Sequence, residues 1–151
     1  AELMKEKDPD RFQRLRMAPP QVFECRPVGN AIYPQTQNKP PQSHIWFKTK
    51  EEIKADIPLQ QQLLAFASDY SLLLSATLPH RKEFEKQKIY YASLDHALWF
   101  HRNFEIDDWL LYAIESPSAS NARGYARGSI FDRSGRMIAS VSQEGLMREF
   151  K

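Results

Sequence analysis

The spacing of apolar residues changes character twice along the chain. Val22–Val28 and His44–Lys50 are rich in β-branched and aromatic residues and predict two short strands. Between them lies a loop, Gly29–Ser43, rich in Pro, Gln and Asn. From Pro58 to about Ala76 the period becomes helical, carried by Leu63, Leu64, Phe66, Ala67, Tyr70, Leu73 and Leu74. Asp56 is placed to cap this helix, and Pro58 suits its first turn. Past Pro79 a basic loop leads into four runs of strand character, Tyr90–Arg102, Trp109–Ser116, Gly124–Asp132 and Met137–Phe150. Ser134-Gly135, inside Arg133–Arg136, signals a hairpin turn between the last two. One helix is too few for parallel crossovers, so the order predicts an α+β fold in which that helix lies against an antiparallel sheet.

Three polar residues interrupt this pattern. Asp69 is the only charged residue between Ile57 and Pro79, and at helical spacing it shares a face with Phe66 and Leu73. It either belongs to a wet stripe with Gln62 and Ser68, or is a partly buried carboxylate whose pKa burial raises, a candidate general base. Gln143 falls on the apolar parity of its strand, with Ala139, Val141, Gly145 and Met147. Its amide therefore points inward, either to satisfy backbone groups at a sheet edge or to serve a site. Ser93 sits off the apolar parity of Ala92, Leu94, Leu98 and Phe100. Either both faces of its strand are covered or the strand is bulged.

Rival constellations fail on geometry. In a regular strand His96 faces away from Ser93, and His101 lies eight residues on, roughly 26 Å at about 3.3 Å per residue, which argues against a serine nucleophile triad. His96 and His101 also face opposite sides and lack an acidic cluster to complete a metal set, so both read as core or surface histidines. Arg123 and Arg127 belong to no phosphate loop and read as a solvated strand face.

Composition narrows the classes without choosing one. The 151 residues are 42% hydrophobic and 26% charged, enough for the core of one domain. A net charge of +2 gives no sign of a nucleic acid or anionic membrane partner. A single cysteine, Cys25, excludes an internal disulfide. No run approaches the roughly 18 to 20 apolar residues of a membrane span. Seven of the ten prolines lie in the first 41 residues, and residues 1–20 read as a linker from a longer protein.

Longer motifs carry a specific resemblance. SLDHALWFHRNF (93–104), DDWLLYAIESPSASNARGYARG (107–128) and SVSQEGLMR (140–148) resemble the C-terminal half of the acyl-CoA thioesterase II family. Upstream, FECRPV (23–28), HIWFKT (44–49) and LLAFASDYSLL (63–73) continue the likeness. The resemblance implies a double-hotdog protein, each half a curved antiparallel sheet wrapped around one long helix. This chain would be the second half, with residues 1–20 as an inter-domain linker and 21–151 as the hotdog domain. It also implies that a helical Asp, a Thr or Ser two residues before an Asp-His pair, and the Gln of a Gln-Glu-Gly motif activate a hydrolytic water. Those positions are Asp69, Ser93 and Gln143 here. The implied reaction is hydrolysis of fatty acyl-CoA to fatty acid and CoA without a covalent acyl-enzyme and with no cofactor. The alternative is a non-catalytic hotdog that binds acyl-CoA or serves assembly when separated from its N-terminal half. The N-terminal hotdog and further copies of the chain are the expected partners, without membrane insertion. The C-terminal residues Arg148–Lys151 lack a small-basic-Leu peroxisomal signal, so a bacterial cytoplasm is expected, or the peroxisome for a eukaryotic source.

Overall fold

The computed structural model describes residues 22–29, 38–54, 56–84 and 89–149. The expected linker, residues 1–20, lies outside these. Seven strands form one antiparallel sheet: β1 (Phe23–Pro27), β2 (Gln42–Thr49), β3 (Ile89–Ser93), β4 (Ala97–Phe100), β5 (Leu110–Ser120), β6 (Arg123–Phe131) and β7 (Met137–Glu149). Their spatial order is β1-β2-β5-β6-β7-β3, and β4 also pairs with β7. The helical path comprises α1 (Ile57–Asp69), a 3₁₀ segment (Leu73–His80) and the short α2 (Arg81–Phe84).

Period-2 patterning decides which face of the sheet is buried. Leu110, Tyr112 and Ile114 on β5, Ala126 and Ile130 on β6, and Ala139 and Val141 on β7 turn inward and pack with Leu64 and Leu72 of the helical path. A second cluster, Leu73, Ala76, Ile89 and Met147, sits under the 3₁₀ segment. Close approach there demands glycine: a Cβ on Gly145 would stand 2.2 Å from Leu73 Cδ2. The opposite face carries Arg123 and Arg127, a solvated face as the sequence predicts, with Arg123 paired to Glu144 and Arg127 to Glu115.

The helix starts where expected and stops early. Asp56 accepts a hydrogen bond from the Leu59 N–H at 3.0 Å, and Pro58 occupies the first turn. The α-helix ends at Asp69 rather than running to Ala76. From there the backbone tightens, with Tyr70 N–H donating to Ala67 O and Ser75 N–H to Leu72 O. The hydroxyls of Ser68, Ser75 and Thr77 each donate to the carbonyl three residues back, which competes with regular α-helical bonding.

The predicted strand Tyr90–Arg102 is also divided. β3 keeps one register on β7, with Ser93 opposite Gly145, and β4 resumes a residue out of step, with Ala97 opposite Ser142. Leu94 and Asp95 together face Glu144, whose carbonyl accepts both of their N–H groups, while its own N–H donates to Asp95 Oδ1 at 2.7 Å. This two-against-one bulge is the second of the arrangements the sequence allowed for Ser93. Two hairpin turns close the main ladder. One is the predicted turn, where Gly135 has φ of 81°; the other is Asn121-Ala122, where both residues have positive φ. Pro117 lies where the β5–β6 register breaks, a place where its missing N–H removes no ladder bond.

Candidate active site

Asp69 is the last residue of α1, where the carbonyl ends of the helix carry partial negative charge. That is an unfavourable end for a carboxylate, so nearby donors matter. Gln143, from the middle of β7, is buried to 1% exposure, and its Nε2 donates to Asp69 Oδ1 at 2.5 Å. Because a carboxylate only accepts, this bond fixes the amide orientation and leaves Gln143 Oε1 as the other end. Oε1 is buried with no hydrogen-bond partner among the described residues. An unmet buried acceptor costs about 1–3 kcal/mol, which a purely structural glutamine on an apolar face would not be expected to retain.

The bulge supplies the rest of the site. Ser93, opposite Gly145, shares the inner face with Gln143 two residues along β7. One step before the Ala97–Ser142 pair, His96 stands across from Gln143 on the same face. Its Nε2 lies 2.9 Å from Ser68 Oγ, and its Nδ1 lies 3.8 Å from Asp69 Oδ1. Behind the helix end, the Tyr112 hydroxyl donates to Ser68 O at 2.9 Å. Burial pushes the Tyr112 phenol well above its usual range, and the charge of Asp69 adds to that shift. Gly128 leaves room for this ring, since a Cβ there would lie 2.3 Å from Tyr112 Cε2.

Of the two readings the sequence leaves open for Asp69, the exposed one stands: its side chain is 56% exposed, and Gln62 on the same helix is exposed with it, so Asp69 is not a partly buried carboxylate. Two sequence expectations need correction. Ser68 is fully buried and does not join Gln62 on a wet stripe. His96 does not face away from Ser93, because the extra residue at Leu94-Asp95 reverses the parity between them. The signal that could have found it is Asp95, whose short carboxylate can take a ladder N–H in place of a backbone carbonyl. Ser93 itself is exposed, at the end of β3, on the strand face that carries Gln143 and His96. His101 lies apart from this group, bonded through Nε2 to Ser140 Oγ at 2.8 Å.

Comparison with known proteins decides the family, for the acyl-CoA thioesterase family model matches residues 28–146. The chain belongs to the acyl-CoA thioesterase family. Acyl-CoA thioesterase 2 of Haemophilus influenzae is 46% identical over 109 residues, covering 72% of this chain and 38% of that protein. Acyl-coenzyme A thioesterase 8 of Homo sapiens is 33% identical over 127 residues, covering 83% and 39%. The crystal structure of an acyl-CoA thioesterase II from Mycobacterium marinum superposes with a TM-score of 0.75 at 38% identity, covering 87% of this chain and 50% of that one. The curled antiparallel sheet around one helical path is thus the hotdog fold. The chain spans half or less of the length of these relatives. Packing alone requires neither the inward amide nor the helix-end carboxylate of this acyl-CoA thioesterase family member.

Proposed function

We propose that this chain is the C-terminal hotdog of an acyl-CoA thioesterase and that Asp69, Ser93 and Gln143 activate the water that hydrolyses a fatty acyl-CoA. The Asp69–Gln143 hydrogen bond carries the reading, because it ties a helix-end carboxylate to a buried amide whose Oε1 has no partner among the described residues. In this mechanism Asp69 takes a proton from the water as the oxygen attacks the thioester carbonyl. Backbone N–H groups stabilise the oxyanion, and the tetrahedral intermediate collapses with cleavage of the C–S bond. The leaving thiol has an ordinary pKa near 8.5, so it departs as thiolate with little help, and the proton held by Asp69 returns to solvent or to sulfur. Ser93 and Gln143 act as neutral hydrogen-bonding groups. A water filling the unmet Oε1 acceptor would settle the amide as well as the nucleophile.

An N-terminal hotdog would complete the site. Leu59 and Phe66 expose an apolar stripe of α1, Phe66 at 57%, beside the exposed Asp69. Such a stripe suits a second helix, from the other half or from another copy of the chain. Release of thiol from acyl-CoA of several chain lengths tests the function, on this chain alone and with the N-terminal half added. Turnover in either form that Asp69→Asn abolishes in a folded protein supports the reading. Folded, complete protein without turnover, or an equally active Asp69→Asn variant, would overturn it.

A further inference from the structure

We infer that His96 is a positioning residue for Asp69, holding the carboxylate in the orientation that the proposed hydrolysis requires. The inference deepens that reading and rests on it. Its ground is that His96 bridges the helix end to the sheet through both ring nitrogens. Nε2 reaches Ser68 Oγ at 2.9 Å, on a serine that is itself fully buried, and Nδ1 faces Asp69 Oδ1 at 3.8 Å. Ser68 and Asp69 are consecutive, so one imidazole grips the last turn of α1 at two adjacent side chains.

The proton arrangement follows from the donor inventory. An ionised carboxylate offers no proton, so a bare Nδ1 lone pair facing Asp69 would be repelled, and the favoured ring carries a hydrogen on Nδ1. Ser68 Oγ already donates to Ala65 O and so accepts from Nε2, and the ring holding both protons turns its second N–H, on Nδ1, toward Asp69. At 3.8 Å this is an electrostatic contact rather than a hydrogen bond, and such contacts are commonly long before substrate binds.

The consequence for Asp69 is directional. Gln143 Nε2 and His96 Nδ1 both approach Oδ1, one from β7 and the other from the start of β4, so rotation of the carboxylate is restrained from two sides. Oδ2 is left as the oxygen that accepts the proton of the water. His96 reaches this position only because Leu94 and Asp95 share Glu144 as partner, with Asp95 Oδ1 holding the Glu144 N–H. The bulge therefore brings Ser93 and His96, three residues apart, to one face.

Two conservative variants separate positioning from simple anchoring. The short amide introduced by His96→Asn keeps an N–H near the place of Nδ1 and so preserves the contact with Asp69. The longer amide introduced by His96→Gln keeps a polar atom near the place of Nε2 and so preserves the contact with Ser68. In the complete enzyme, His96→Ala is expected to lower kcat about 10- to 100-fold with KM within about twofold. His96→Asn should recover most of that loss and His96→Gln little, at matched thermal stability. Recovery by the glutamine variant alone, or an unchanged kcat in His96→Ala, would overturn the proposal. Imidazole ¹⁵N spectroscopy on this chain gives a readout independent of turnover. The His96 Nδ1 resonance should carry the proton and shift in Asp69→Asn, whereas a Nδ1 signal indifferent to Asp69 would also overturn it. Full activity of Asp69→Asn would instead mark failure of the general-base assignment itself.

Discussion

Asp69 and Gln143, separated by 74 residues, meet through a hydrogen bond that joins the end of the central helix to the middle of β7. The bond is unequal in what it does for each partner. Asp69 is exposed enough for water to replace the amide, whereas Gln143 is buried with one acceptor unmet among the described residues. Replacing Gln143 with Met, of similar volume, removes the unmet group and leaves the carboxylate solvated. Gln143→Met is therefore expected to be neutral or stabilising by up to about 1 kcal/mol in denaturant unfolding, while acyl-CoA hydrolysis falls at least about 100-fold. A stability loss of several kcal/mol would show instead that the amide is structural.

Tyr112 and Gly128 form a second dependent pair. A methyl group at Gly128 overlaps the Tyr112 ring, and the ring can move only by giving up its hydrogen bond to Ser68 O. Gly128→Ala should destabilise the fold by about 1–3 kcal/mol, visible as a lower denaturation midpoint with an unchanged slope. Tyr112→Phe, which keeps the ring and removes the hydroxyl, should cost about 1 kcal/mol by comparison.

The turn between β5 and β6 places Ala122 at φ of 58°. An alanine there costs about 1–2 kcal/mol over a right-handed conformation, while glycine loses about 0.5–1 kcal/mol through the extra freedom of the unfolded chain. The first figure exceeds the second, so Ala122→Gly is expected to raise stability by about 0.5–1 kcal/mol. A lower thermal midpoint in the variant would contradict this balance.

Asp132 organises the β6–β7 turn. The Ser134 hydroxyl, the Arg136 N–H and the Arg136 guanidinium hold its carboxyl at about 2, below the ordinary 3.8. A depressed folded-state pKa contributes stability that is present above about pH 4 and lost as pH falls toward about 2. Wild type and Asp132→Asn should therefore differ in thermal midpoint near neutrality and converge near pH 2. A constant difference over that window would exclude the linkage.

Period and turn chemistry make most of the fold legible. The Asp56 cap, the Pro58 start, the Ser134-Gly135 hairpin and the inward Gln143 all follow from local residue types, and each stands where the sequence predicts. Two features escape that reading for related reasons. Apolar spacing carries the predicted helix past Asp69 because it cannot distinguish an α-helix from a 3₁₀ continuation, and serine and threonine hydroxyls decide the pitch there. Parity likewise fails at Ser93–His96, because a long-range bond from Glu144 to Asp95 inserts one residue into the count. The greasiness of its helix leaves both an exposed and a partly buried Asp69 open, and the exposed stripe holding Phe66 continues to it. The chemical roles come from the family motifs rather than from spacing.

The bulge at Leu94-Asp95 makes chain length itself a determinant of this surface. Losing one residue there would let β3 and β4 join in a single register. All residues on one side of the deletion would then exchange faces: either His96, Leu98 and Phe100 would turn to the opposite face, or Ile89, Tyr91 and Ser93 would. A segment that looks like a short connection, the kind usually tolerant of insertions and deletions, is thus one where substitutions are milder than indels. Among homologous chains, the number of residues between these two strands should vary less than the residues themselves.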